Sequence, residues 1–154
     1  MVVGIGLMPT LVLQLFFALL APSCVYAVVA GGRDARIAVG LMVAAVLLTR
    51  AVTLLFAARW PLMIVDMALL LGFWRLSLSS RRYWPLWVMG LHGVSVAGHL
   101  AIQFGPPIPY PVYHGIIGVW SIPVLISMTL GIMLDQKAGI SHGASNPTPD
   151  RSTH

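Results

Sequence analysis

The stretch RIAVGLMVAAVLLTRAVTLLFAARWPLMIVDMALLLGFWRLSLS, residues 36–79, decides the fold of this chain. It holds two apolar segments, each close to the roughly 20 residues that a helix needs to cross a bilayer. A short junction with Arg59 and Pro61 separates them, and proline is favoured in the first turn of a helix. The stretch therefore predicts two neighbouring transmembrane helices that run in opposite directions.

The composition of the whole chain indicates the same class of protein. Of the 154 residues, 58% are apolar and only 8% are charged, and the mean hydropathy is +0.91. A soluble domain has about 25% charged residues, so the few charges here cannot cover so apolar a core. This argues against a water-soluble globule. We expect an all-α fold, a polytopic bundle of transmembrane helices.

Five segments are long and apolar enough to be spans. They are residues 3–30, 36–58, 61–79, 84–104 and 110–134. The first lacks the positive charges that begin a signal peptide, so we interpret it as part of the bundle. Residues 1–138 then form the transmembrane bundle, and residues 139–154 form a disordered cytoplasmic tail. A four-span alternative stays open, in which Arg50 prevents the second segment from crossing.

The basic residues predict the orientation of the bundle, because cytoplasmic loops carry an excess of lysine and arginine. With five spans, one side of the membrane holds seven basic residues, while Arg50 lies within a span and the other side holds only Arg59. The seven are Arg33, Arg36, Arg75, Arg81, Arg82, Lys137 and Arg151. We therefore expect the N-terminus outside and the C-terminus in the cytoplasm, in the inner membrane of a bacterium.

Aromatic residues are expected at both membrane–water interfaces, where tryptophan and tyrosine are enriched. The residues assigned to the inner interface are Trp74, Tyr83, Trp84 and Trp87, and those assigned to the outer one are Trp60, Tyr110 and Tyr113.

Polar residues inside the spans are the candidates for function, because they are expensive in hydrocarbon and usually face a bundle interior. By depth they form one intramembrane polar layer, with His92 near the middle of the membrane and the others in its outer half: Gln14, Arg50, Asp66, His92, His99, Gln103 and His114. Arg50 and Asp66 lie on adjacent helices at similar depth, which predicts an ion pair between them. Such a pair can be purely structural. His99 and His114 can equally be interfacial, and His92 can make an interhelical hydrogen bond.

The residue inventory limits the possible chemistry. Cys24 is the single cysteine, and all four acidic residues are aspartates, so zinc sites built on cysteines and paired carboxylates lack material. The arginines are dispersed and form no basic face for nucleic acid. No nucleotide, quinone or protease motif is present. We expect no metal, no cofactor and no enzymatic activity, with b-type haem bound by His99 and His114 as an alternative.

Four short segments together form a recognisable pattern: VDMALL (65–70), RRYWPLW (81–87), HLA (99–101) and WS (120–121). The pattern resembles small, uncharacterised bacterial inner-membrane proteins. The resemblance covers roughly the C-terminal two-thirds of the chain. Because no activity is attached to those proteins, the resemblance implies no catalytic role. It singles out Asp66, Trp84, Trp87 and His99 as residues to test.

Small residues four apart let helices approach closely, either within the bundle or against a partner helix. The pairs are Gly40 and Ala44, Gly93 and Ala97, and Ser127 and Gly131. We therefore predict a non-enzymatic accessory or interaction subunit that contacts lipid and a membrane-protein partner. Two alternatives remain: a haem- or quinone-associated redox protein that uses His99 and His114, and a small transporter or proton-path component that uses Asp66.

Overall fold

The computed structural model describes residues 3–55, 60–105 and 109–139, and this part of the chain is helical with no strand. The helices are α1 (Val3–Ala30), α2 (Gly32–Leu55), α3 (Trp60–Ser79), α4 (Trp84–Phe104), α5 (Tyr110–Val119) and α6 (Ser121–Lys137). The end of the second predicted span, with Arg59, and most of the predicted tail lie outside the described residues.

Four stretches are long and apolar enough to cross a membrane: Gly32–Leu55, Trp60–Ser79, Trp84–Phe104 and Gly115–Lys137. The 28 residues of α1 include a further apolar segment, Gln14–Ala30. The predicted fold class, an all-α bundle of apolar helices, is confirmed.

The turn between α1 and α2 is tighter than the sequence suggested. The second helix begins at Gly32 and not near Arg36, so Gly31 alone separates the two helices. Gly32 adopts a left-handed backbone with φ of 67°, which glycine tolerates without steric cost. A Cβ added to Gly31 would overlap Ala35. Two glycines therefore make this one-residue connection possible.

The fifth span divides at Trp120 into α5 and α6. Pro123 lies three residues further on, and its missing N–H leaves the carbonyl of Val119 without its usual helical donor. The N–H of Trp120 instead donates to the carbonyl of Ile117 at 3.3 Å, a tighter turn than that of an α-helix. The break therefore lies just before Pro123.

Helices α1 to α4 and the α5–α6 pair close into a ring. Each span contacts its neighbours along the chain, and α1 also packs against α5 and α6. The half of the ring near the α1–α2 turn and the α3–α4 loop is filled with apolar side chains, and we call it the packed half. Its core consists of Ala27, Ala35, Ala38, Val39, Met42, Phe73, Leu76, Trp84, Val88, Val124, Leu125, Met128 and Ile132.

Trp84 belongs to this core, which corrects its assignment to the membrane interface. It is 3% exposed, and its Cβ lies so close to Gly131 of α6 that a methyl group there would overlap it. The first turn of α4 thus packs closely against α6 at Gly131, which has no side chain. By contrast, Trp60 and Trp87 are 54% and 68% exposed.

A group of polar contacts, which we call the polar clasp, lies at the end of the packed half where the α1–α2 turn and the α3–α4 loop are. The hydroxyl of Ser80 donates to Asp34 at 2.6 Å, and Arg82 pairs with Asp135 at 3.0 Å. The clasp ties the start of α2, the α3–α4 loop and the end of α6 together. Sequence reasoning did not anticipate it, because each member lies at a helix end that could equally be solvated.

Candidate functional site

The other half of the ring encloses a cavity of about 430 Å³, and we call it the cavity half. Side chains of all six helices form the walls. The lining residues are Phe16, Phe17, Leu20, Met42, Ala45, Val46, Thr49, Arg50, Thr53, Leu62, Asp66, Leu69, His92, His99, Tyr113, Ile117, Gly118, Ser121, Val124 and Leu125. Phe17, Arg50 and Thr53 are exposed, so the cavity opens between α1 and α2.

One wall of the cavity carries a hydrogen-bonded chain of three side chains, the Asp66–His99–Tyr113 triad. Nε2 of His99 donates to Oδ2 of Asp66 at 2.5 Å. Nδ1 of the same ring lies 2.5 Å from the hydroxyl of Tyr113. His99 and Tyr113 are only 4% and 2% exposed. The triad joins α3, α4 and α5 through a buried imidazole with a partner on each nitrogen.

His92 adds a second link from α4 to the same aspartate. Its Nε2 donates to the backbone carbonyl of Asp66 at 3.1 Å, and its ring stands edge-on to Phe73. His92 and His99 are seven residues apart, two helical turns, and therefore share the face of α4 that contacts α3. The predicted interhelical hydrogen bond of His92 is confirmed.

Tyr113 is a site residue that sequence reasoning assigned to the outer interface, and the structure corrects this. The proline-rich segment ends at Pro109, so α5 begins at Tyr110 and Tyr113 falls in its first turn against α4. A buried tyrosine hydroxyl needs a hydrogen-bond partner. His99, on the helix that precedes the proline-rich loop, could supply that partner. This pairing is the feature of the sequence from which burial of Tyr113 could have been predicted.

Arg50 does not form the predicted ion pair with Asp66. Both side chains line the cavity, but the carboxylate of Asp66 is engaged by His99. The guanidinium carbon of Arg50 lies 5.5 Å from the ring centre of Phe17, within the range of a cation–π contact. Equal depth on adjacent helices did not determine the pairing, because the sequence does not fix how each helix is rotated about its axis.

The remaining polar candidates are distributed unevenly. Gln14 is exposed and Gln103 is half-buried, and neither lines the cavity. The side chains of Tyr110 and His114 lie outside the described residues. Of the seven members of the predicted polar layer, the structure brings Arg50, Asp66 and the two histidines of α4 together.

The geometry offers no support for haem ligation by His99. An axial bond to haem iron needs a free ring nitrogen, and both nitrogens of His99 already have partners. Within the described residues, no three or more His, Cys, Asp or Glu side chains are grouped to hold a metal ion.

The triad can hold and pass a proton. A carboxylate fixes the orientation of the imidazole and favours a proton on Nε2, while the phenol interacts with Nδ1. Hydrogen bonds in a chain of this kind strengthen each other where water is scarce. Since the Asp66 side chain keeps 22% of its exposure and lines the cavity, the chain is accessible from the cavity.

Comparison with known proteins gives no match to a family model, a curated protein or a solved structure. The interpretation of the site therefore rests on its own residues.

Proposed function

We propose that this small multi-pass membrane protein is a transporter or proton-path component that exchanges protons with the contents of its cavity. The observation that carries the proposal is the Asp66–His99–Tyr113 triad on the cavity wall. Ionisable residues within spans are costly, and they commonly mark proton or solute paths. A purely structural ion pair would not need a cavity beside it.

The packed half gives the proposal its mechanism. Apolar side chains such as Phe73, Val88 and Met128 fill the bundle there, so the cavity is closed at that end. A cavity that is closed at one end of the bundle is typical of a carrier that exposes its site to each side in turn. We therefore propose a carrier and not a continuous pore.

Proton flux into vesicles tests this function. Purified protein is reconstituted into vesicles that contain a pH-sensitive dye, and an acid pulse is applied with the membrane potential clamped. We expect Asp66→Asn to lower protein-dependent flux about tenfold, since it removes the carboxylate of the path. Asp150→Asn, outside the described residues, serves as the matched control. Equal flux through Asp66→Asn and the unchanged protein would contradict the proposal.

We further propose the cellular setting that the charge distribution predicts: a bacterial inner membrane, with the N-terminus outside and the C-terminus in the cytoplasm. The cavity then opens in the outer half of the membrane. Alkaline phosphatase fused to the C-terminus should be inactive, whereas a cytoplasmic reporter at the same position should be active. The reverse pattern would refute this orientation.

An accessory subunit remains the second candidate, and one observation favours it. Gly40 and Ala44 are exposed on α2, and a Cβ added to Gly40 would meet nothing within 4 Å. A partner helix can approach closely at such a surface. If the protein is a subunit, purification in mild detergent should retain a second protein, and Gly40→Leu should release it while Gly90→Leu does not.

A further inference from the structure

Arg50 is a charge without a carboxylate partner among the described residues. The salt bridge between fully charged side chains found there is Arg82–Asp135, while His99 makes a hydrogen bond to Asp66 and the contact of Arg50 is with the ring of Phe17. An arginine within a span is costly unless its charge is compensated. Because His99 engages Asp66, an anion from outside this part of the chain is the natural partner for Arg50.

The space beside Arg50 suits an apolar chain. Most of the cavity wall near it is hydrocarbon or aromatic, including Phe16, Leu20, Met42, Leu62 and Leu69. A cavity of about 430 Å³ falls within the size of small-molecule sites, roughly 300–1,000 Å³. The apolar walls and the single cationic group beside them match an acyl chain that carries one anionic head.

We propose that the cavity binds a single-chain amphiphile with a carboxylate head, the head on Arg50 and the chain among the apolar walls. The inference rests on the proposed function, because it names the cargo of the same cavity. A guanidinium is planar and forms paired hydrogen bonds with a carboxylate. The exposed position of Arg50 at the opening allows the head to enter last, after the chain has left water or lipid.

The charge of Arg50 predicts selectivity among amphiphiles that have equal chain length and different head groups. A neutral alcohol fills the same apolar space but leaves the charge of Arg50 uncompensated. An amine brings a second positive charge beside it, which costs binding energy in a medium of low dielectric. Dodecanoate should therefore bind better than dodecanol, and dodecanol better than dodecylamine.

Photolabelling of the full-length protein in phosphatidylcholine vesicles tests the proposal. The probe is dodecanoic acid with a diazirine on its chain, and the labelled peptides are located by mass spectrometry. We expect saturable labelling of cavity segments of α1, α2 and α3 that excess unlabelled dodecanoate removes. Outward-facing Leu54 and Leu71 report non-specific labelling from the lipid.

Two variants and a control isolate the role of Arg50. Arg50→Gln should lower the saturable labelling about tenfold, as expected on loss of a charge-assisted contact. Arg50→Glu should reverse the preference, so that a diazirine-labelled dodecylamine replaces the acid. Arg75→Gln removes an exposed arginine near the C-terminal end of α3, and it should leave the saturable labelling unchanged.

A further variant keeps the test valid if changes at Arg50 disturb folding. Ala45 is buried and lines the cavity, so Ala45→Phe should fill space and exclude the probe while Arg50 remains. Labelling that persists in both Ala45→Phe and Arg50→Gln would overturn the proposal. So would labelling that phosphatidylglycerol in the vesicles abolishes, because Arg50 would then bind a lipid headgroup.

The outcome separates this inference from the proposed function. Labelling measures occupancy of the cavity, whereas vesicle acidification measures proton movement. If Asp66→Asn keeps both the labelling and the flux, the cargo assignment stands and the transport function fails. If Asp66→Asn loses the flux and the unchanged protein shows no saturable labelling, the transport function stands and the cargo assignment fails.

Discussion

The two halves of the bundle are built in different ways from the same helices. In the packed half, Phe73, Val88 and Met128 are fully buried, and the polar clasp fastens the helix ends. In the cavity half, the walls separate around a cavity that Arg50 and the triad line. The packed half has its ion pair, Arg82–Asp135, at its edge. In the cavity half, Asp66 and His99 lie on the cavity wall, and Arg50 is exposed at the opening.

This contrast predicts that stability and function are separable along the membrane normal. Substitutions in the packed half should unfold the protein, whereas substitutions in the cavity half should alter activity with smaller effects on folding. The predictions below begin with the largest effect.

Gly131→Ala should destabilise the packed half most. The new methyl group would overlap the Cβ of Trp84, which cannot rotate away because the helix backbone fixes its position. Overpacking of this kind costs about 3 kcal/mol. Unfolding by SDS titration in mild detergent measures the free-energy change. A loss below about 0.5 kcal/mol would mean that α4 and α6 are not in close contact there.

The Asp66–His99 pair should show strong coupling, and the Arg50–Asp66 pair should show almost none. Double-mutant cycles with Asp66→Asn, His99→Gln and Arg50→Gln measure both. We expect a coupling energy of about 2 kcal/mol for the first pair, which is hydrogen-bonded and mostly buried, and below about 0.5 kcal/mol for the second. If the larger coupling energy belonged to Arg50 and Asp66, the ion pair predicted from depth alone would be correct.

The polar clasp should contribute less than the triad. The Arg82 and Asp135 side chains are 13% and 15% exposed, so solvent screens them in part. We expect Arg82→Gln to lower the free energy of unfolding by about 1 kcal/mol, with a loss that shrinks at high salt. Proton flux per folded protein should not change, and a fall in flux would couple the clasp to the cavity.

The smallest effect is expected at Gly90, which also serves as the control for Gly131. Gly90 lies in α4 with open space around its Cα, and nothing would meet an added methyl group within 4 Å. Alanine restricts the unfolded backbone, so Gly90→Ala should stabilise the protein by about 0.5 kcal/mol. A marked loss of stability would place a neighbour against this face of α4.

The sequence predicted the bounds of the helices better than it predicted which side chains pair between them. Hydrophobic segments gave the bounds of α3 and α4 to within a residue, because span length is set by bilayer thickness. Depth was sufficient to collect Arg50, Asp66 and His99 in one layer. It could not determine how each helix is rotated about its axis, and so the partner of Asp66 was assigned to the wrong helix.

Aromatic residues show a second limit of sequence reasoning. Trp84 and Tyr113 both follow a turn that contains polar residues or proline, and both fit the pattern of an interfacial belt. Trp84 is buried because Gly131 on a distant helix leaves space, and Tyr113 because His99 offers a partner. Both causes are tertiary contacts, which hydropathy along the chain does not record.

The break at Trp120 gives the bundle a mechanical joint. A continuous helix resists bending through its ladder of hydrogen bonds, and Pro123 interrupts that ladder at the boundary between the two halves. Above the joint, α5 carries Tyr113 and Ile117 on the cavity wall, while below it α6 anchors Ile132 in the core. A swing of α5 alone would resize the cavity and stretch the bond between Tyr113 and His99. The break in this helix thus links the shape of the cavity to the geometry of the Asp66–His99–Tyr113 triad.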